Sequence, residues 1–391
     1  MTQIDDFFRS RLDQMIDLRK PLAVLATHMS WQELEASVAH RFARQVRTGK
    51  QVEDIDLFGP AVSVVGADYS NAGRLRLPMR LMISLLYLKH AFNESDEGVC
   101  ERWSDAPTWQ YFSGQEYFEN RLPCDPSAIS RFRGLLGEEG VEELLVQTLV
   151  VVINLGLIER TALQSVIVDS TVQSKAVAHP TDSRLLEVAR RQIADATKGH
   201  GMCLKQSHAE EVECISKDKA RSSYEFGVKV GIATSLRGNL IVGARSFPGN
   251  PYDGHTLAEQ LEQSRIQMEA VGVSPQTVYT DLGYRGVDGE IPEYSLKHRG
   301  KFKRLTDQER QLLKRRQAVE PVIGHLKSDH GMNRCYLKSR TGDAIHAVLC
   351  AAGFNIKWLL RMIARKGIRP FFVPYFFRLD HATDPETIPA G

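Results

Sequence analysis

The sequence predicts an α/β chain: an all-α region over residues 1–160, a mixed sheet with helices packed on it over 161–365, and a tail over 366–391. Three observations predict it. Apolar residues recur at helical spacing up to about residue 160, β-branched runs begin abruptly at Ser165, and two such runs flank a turn containing Gly238 and Asn239. In chain order, Trp31–Val46 sets Leu34, Val38 and Phe42 four apart, with Ser30 and Glu33 spaced as a capping box. Met79–Ala91 is an apolar helix that starts after Pro78. Ser127–Leu155 gives two helices, capped by Asp125 and Ser127 and broken between Gly137 and Gly140. Ser165–Val172 reads as a strand, followed by a helical segment. Phe226–Ser235 and Leu240–Phe247 read as a hairpin, His255–Met268 as a helix and Val278–Tyr284 as another strand. Helices follow from Gln317, one of them ending at Gly331. Strands interleaved with helices in this order make a mixed sheet the economical solution.

Composition narrows the function classes. The chain has 391 residues, 50 Lys and Arg against 48 Asp and Glu, 42% apolar and 25% charged residues, which is ordinary for a soluble globular protein. The opening MTQIDDFFRSRLDQ begins with acids and has no apolar run, which argues against a secretion signal. The longest apolar stretch, Leu144–Ile158, is too short to span a bilayer and carries Gln147, Thr148 and Asn154, so no membrane partner is expected. Six scattered cysteines with no C-x-x-C pair argue against a disulfide scaffold and for a reducing, cytoplasmic setting.

The small net charge of +2 hides a cluster. Leu296–Arg316 carries nine Lys and Arg against Asp307 and Glu309. Such a stretch is either a solvated face or a contact for a polyanion, where each neutralised phosphate releases counterions. Two acids bracket the argument. Asp169 and Asp281 each stand at the end of an apolar strand run, where a buried unpaired carboxylate is costly. Each alone fits a loop cap; together, at the ends of separate strands of one sheet, they fit the carboxyl edge where open α/β sheets place their sites. Glu320 is the third acid. On a regular helix Arg316, Glu320 and Lys327 fall within about 40° of one another, although Pro321 and Gly324 weaken that regularity near Gln317. Three carboxylates without a His or Cys cluster suit a hard cation, Mg²⁺ or Mn²⁺. Two such ions ~4 Å apart can serve phosphodiester chemistry, with Arg316 and Lys327 holding phosphates.

These residues resemble the insertion-sequence transposases of the DDE superfamily, in the IS-five (InsH-type) group. The group's signature Y-x2-R-x3-E-x6-K is matched by Arg316, Glu320 and Lys327, with Leu313 at the tyrosine position. VDSTVQ carries Asp169 and YTDLGYRG carries Asp281; PGNPYDGHTL, EPVIGHLK and DAIHAVLCAAGFNIKWLLR are also similar, as are LPMRLMISLLYLKH, ERWSDAPTWQYFSG and LPCDPSAISRFR in the helical half. The resemblance covers roughly residues 10–365. It implies an RNase H-like core and Mg²⁺-dependent cleavage of transposon ends, with Asp169, Asp281 and Glu320 catalytic and holding two metal ions. It also implies strand transfer into target DNA, N-terminal helices that bind the inverted repeats, and at least two subunits in synapsis. A bacterial, nucleoid-associated location goes with it. One departure is large: near Gln206-Ser207-His208 the chain looks internally shortened, as though two ends of a helical insertion were joined. The alternative is therefore an impaired remnant that binds DNA without cutting.

Other residues have two readings each. Tyr284 and Arg285 follow Asp281 directly and either contact a DNA backbone or fill the loop; we count them with the phosphate-positioning set. Asp253 and His255 are read as a loop turn before a helix rather than a fourth ligand pair, and His325, His330 and Cys335 match no common zinc spacing. Trp103, Trp109, Tyr111 and Phe112 are read as core, while Asn355 and Lys357 face either DNA or solvent.

Overall fold

The computed structural model describes residues 10–42, 77–176, 213–219, 222–287, 291–300 and 305–371, together with 289 and seven positions between 189 and 197. The first part is helical. We number its helices α1 (Leu12–Met15), α2 (Pro21–His28), α3 (Trp31–Ala39), α4 (Met79–Phe92), α5 (Asp96–Asp105), α6 (Pro107–Phe112), α7 (Pro126–Asn154) and α8 (Arg160–Leu163). Proline opens α2, α6 and α7, where its missing N–H costs nothing. Ser95 and Asp125 cap α5 and α7 by accepting from Gly98 N and Ser127 N. Gly137, at φ 69°, breaks α7 within the expected interval.

Ser30 departs from expectation. Its side chain makes no capping bond; the start of α3 is fixed instead by Trp31, whose buried indole N–H donates to Ala26 O. The helix also ends sooner than Val46, passing at His40–Phe42 into a 3₁₀ turn, and the positions beyond Phe42 lie outside the described residues.

The second part is a sheet with six strands among the described residues: β1 (Ser165–Ser174), β2 (Glu213–Lys219), β3 (Ser222–Ser235), β4 (Ile241–Phe247), β5 (Thr277–Tyr279) and β6 (Ser295–Lys297). β1 is central, antiparallel to β3 and parallel to β5; β4 pairs with the far side of β3, and β6 lies parallel outside β5. β2 pairs with the start of β3. Three antiparallel strands, a crossing helix α9 (Asp253–Glu269) and two parallel strands make the RNase H-like arrangement. Gly238 and Asn239 turn the β3–β4 hairpin at φ 95° and 55°, conformations that suit glycine and asparagine. β5 is shorter than the expected Val278–Tyr284 strand, because Asp281 accepts from Gly283 N and winds Leu282–Tyr284 into a 3₁₀ turn.

Helices α10 (Asp307–Lys314), α11 (Val319–Asp329) and α12 (Ser339–Lys366) complete the fold. Thr306 and Glu309 close a capping box on α10. Arg315–Ala318 is a 3₁₀ turn, so Arg316 precedes α11 rather than sharing its regular helix. Gly331, at φ 81°, follows α11 as expected.

The core has two faces. Val166 and Val168 of β1 point into a large cluster shared with the N-terminal helices, α9 and α12; Ile167, of opposite parity, packs with Leu236, Tyr279, Leu305, Leu313 and Val319. α12 is long and apolar enough to cross a membrane, but 72% of that window is buried inside the fold, as befits a core helix. Asn355 is buried on it and faces neither DNA nor solvent. Its amide donates to Thr148 Oγ1 and Ile241 O and accepts from Ile241 N, tying α12 to α7 and β4. Lys357 lies over the Phe92 ring, 4.1 Å from its centroid. Trp103, Trp109 and Phe112 are buried and Tyr111 packs against them, as core residues should.

Candidate active site

Strand register brings the first two acids together. β1 and β5 run parallel with Ile167 opposite Tyr279, and two residues further along each strand's path stand Asp169 and Asp281. Asp169 keeps the parity of Ile167, so its carboxylate belongs to the face on which Leu313 and Val319 pack. One oxygen accepts from the Ser170 N–H at 2.9 Å and the other from Arg316 Nη1 at 3.3 Å. Burial, with 18% of the side chain exposed, is the main reason its pKa is pushed up to about 6; the negative charges of Asp281 and Asp253 add to it, against the Ser170 hydrogen bond and Arg316.

Asp253, the first residue of α9, joins this pair. Its Oδ1 accepts from Ser170 Oγ at 2.9 Å and forms an ion pair with Lys229 Nζ at 3.0 Å. A Cβ on Gly283 would stand 2.9 Å from Asp281 Oδ1 and 3.1 Å from Asp253 Oδ2, so only glycine leaves both carboxylates their cradle. By sequence Asp253 reads as a loop turn before a helix, yet the fold sets it beside Asp169 and Asp281. Its signal was the acid immediately before a helix in PYDGHT; its approach to β1 depends on packing between distant segments. His255, its neighbour, is exposed and turned toward the Tyr252 ring.

Tyr284 is corrected from a DNA contact to a buried residue. It is 1% exposed in the large cluster, because the 3₁₀ turn after Asp281 folds it inward. Burial first, then Asp253, Asp169 and Asp281, push its phenol pKa up. Arg285 remains exposed; its Nε donates to Leu282 O.

Glu320 stands exposed on the first turn of α11, one residue past Val319, and makes no hydrogen bond or ion pair among the described residues. Lys327 is turned elsewhere, with its Nζ 2.8 Å from Glu225 Oε2 of β3. The structure therefore unites Asp169, Asp281, Asp253 and Arg316, and leaves Glu320 and Lys327 off that contact network. Among the described residues, the acids do not gather three ligand oxygens within 4.8 Å of one another. Like charges repel, and Arg316 already engages Asp169. Leu313, at the signature's tyrosine position, is buried under the sheet and anchors α10. Of the basic stretch, Lys297 pairs with Glu309 and Arg310 with Asp307, while residues 301–304 lie outside the described set.

The donor set fits a hard divalent cation. It is all oxygen, it includes a carboxylate whose burial makes its charge costly unless a cation compensates, and Gly283 keeps a space that a side chain would fill. No histidine or cysteine lies among these groups.

Two family models match the chain: a transposase domain (DUF772) over residues 51–135 and a transposase DDE domain over residues 166–356. The second runs from the second residue of β1 through most of α12. A relative from Rhizobium meliloti, named uncharacterized protein ORF8 in nfe locus, is 36% identical over 204 residues, covering 52% of this chain and 86% of its own. Among solved structures, the cryo-EM structure of the piggyBac transposase synaptic complex with hairpin DNA aligns over 93% of this chain and 80% of that one. Its identity is 8% and its TM-score 0.34.

Proposed function

Because the chain belongs to the DDE transposase family, we propose that it is a DNA transposase that cleaves transposon ends and transfers the freed 3′-hydroxyl ends into target DNA. The observation that carries this reading is the parallel register that sets Asp169, in the middle of β1 rather than at the strand end the sequence suggests, beside Asp281, two residues past the end of β5. Asp169, Asp281 and Glu320 would hold two Mg²⁺ or Mn²⁺ ions. When bound, such ions stabilise the attacking and leaving oxygens of a phosphodiester displacement. The protein's own part is positional. Arg316 orients the second oxygen of Asp169, Ser170 and Lys229 fix Asp253, and Leu313 and Val319 clamp the segment carrying Arg316 and Glu320 to the sheet. Arg285 and the exposed Lys314 and Arg315 would meet backbone phosphates, as would Lys327 on leaving Glu225.

Several finer statements belong to the same proposal: membership of the IS-five (InsH-type) group, transposon-end binding by the helices of 1–160, a homodimer in synapsis, and a cytoplasmic, nucleoid-associated protein. The shortening near Gln206-Ser207-His208 falls outside the described residues. A second reading, a remnant that holds transposon ends without cutting them, is favoured by Leu313, whose burial removes it from any substrate contact. One experiment decides. On a duplex carrying the element's own terminal repeat, the wild type is expected to cut with Mg²⁺. Asp169→Ala should bind equally well while its cleavage falls by roughly 100-fold or more. Cutting retained in Asp169→Ala overturns the site; binding by the wild type without cutting selects the remnant.

A further inference from the structure

A second group of ligand-type side chains lies away from the acids, at the crossing of α4 and α12. His346 and Cys350 are four residues apart on α12 and therefore project from one face of it, the spacing by which a single helix offers two ligands to one ion. His90, in the last turn of α4, faces them. The helices approach closely here: a Cβ on Gly353 would stand 2.5 Å from the His90 carbonyl carbon. His90 is 5% exposed, His346 8% and Cys350 0%, and their ligand atoms all lie within 4.8 Å of one another. Cys350 Sγ is 3.6 Å from His346 Nε2 and 3.9 Å from His90 Nδ1.

Those separations match one ion. Zinc bonds of ~2.0–2.1 Å to imidazole and ~2.3 Å to thiolate, opened at the tetrahedral angle, set sulfur and nitrogen roughly 3.6 Å apart. His346 Nε2 also lies 3.1 Å from Gly331 O, which puts a carbonyl oxygen beside the trio as a further donor.

We infer that His90, His346 and Cys350 form a buried zinc site that fastens the N-terminal helix α4 to the core helix α12, independent of the carboxylates that would serve catalysis. Binding releases the Cys350 thiol proton to solvent and exchanges the His346–Gly331 hydrogen bond for the ion. The full chain, reduced, dialysed against zinc and freed of excess, should retain one zinc ion per chain. Cobalt in its place should give a thiolate-to-cobalt charge-transfer band, which carboxylate-bound cobalt cannot produce. Cys350→Ser should lose the band, and Cys124→Ser should keep it. Because Cys350→Ser sits in the core, a second arm uses the wild type alone: zinc-edge X-ray absorption should show sulfur and nitrogen neighbours. A folded wild type that holds no zinc, an oxygen-only shell, or a band that persists in Cys350→Ser overturns the site.

Discussion

Asp169 is a charge that the sheet makes costly. In an unfolded chain its pKa is near 3.8, and in the fold burial raises it to about 6. The carboxylate therefore disfavours folding wherever it is ionised. The penalty is absent below 3.8, grows between 3.8 and about 6, and is complete above that, on the order of 3 kcal/mol. Asp169→Asn, assayed by urea unfolding in EDTA, should be more stable than the wild type at pH 8, with an advantage that shrinks as the pH falls toward 4. An advantage independent of pH would show that the charge is not the cause. Conversely, Mg²⁺ should raise the melting temperature of the wild type more than that of Asp169→Asn, since an ion that binds the folded carboxylate shifts the equilibrium by mass action. At this scale the sequence was legible where chemistry and position coincide: Asp169 and Asp281 interrupt apolar strands. It was not legible at Asp253 or Tyr284. The first depends on α9 beginning against Ser170, 83 residues away in the chain, and the second on a 3₁₀ turn replacing the end of a strand.

Elements carry the next level of constraint. The helical wheel joining Arg316, Glu320 and Lys327 treats the segment as one helix, but the chain winds Arg315–Ala318 as 3₁₀ before α11 starts. Pro321 explains part of this: it is tolerated in the first turn of α11, where no intrahelical N–H is required, and not deeper. The turn lets Arg316 reach Asp169 while Lys327, near the other end of α11, reaches β3. Long helices and the hairpin were predictable because their periodicity is local. The buried duty of Asn355 was not, because its partners, Thr148 and Ile241, are 207 and 114 residues away. Asn355→Ala would strand the Ile241 N–H and C=O, while the Thr148 hydroxyl keeps its bond to Leu145 O. Each buried orphan costs about 1–3 kcal/mol, so a loss of roughly 2–4 kcal/mol is expected after relaxation. The urea midpoint should fall with an unchanged slope; a midpoint within error of the wild type would mean those groups find other partners.

At the scale of the molecule, the expected division near residue 160 separates kinds of secondary structure but does not separate cores. The large hydrophobic cluster includes Leu25, Leu85 and Leu145 from the helical part, Val168 and Ile232 from the sheet, and Leu349 and Phe354 from α12. α12 packs on α2, α4 and α7 along with β4, so residues before 160 cover much of its apolar surface. A fragment starting at residue 161 would expose that surface, and patches of this kind drive association rather than independent folding. The full chain should unfold in one transition, in which far-ultraviolet circular dichroism, reporting mostly helix, coincides with tryptophan fluorescence. Trp31, Trp103 and Trp109 report the helical part and Trp358 reports α12. The 161–391 fragment should lack a cooperative transition and bind a hydrophobic dye. A fragment that melts sharply by itself would place the boundary in the core after all. The contacts of α12 would then be a docking interface between domains, and Asn355, bonded to both α7 and β4, would be one of the residues holding it shut.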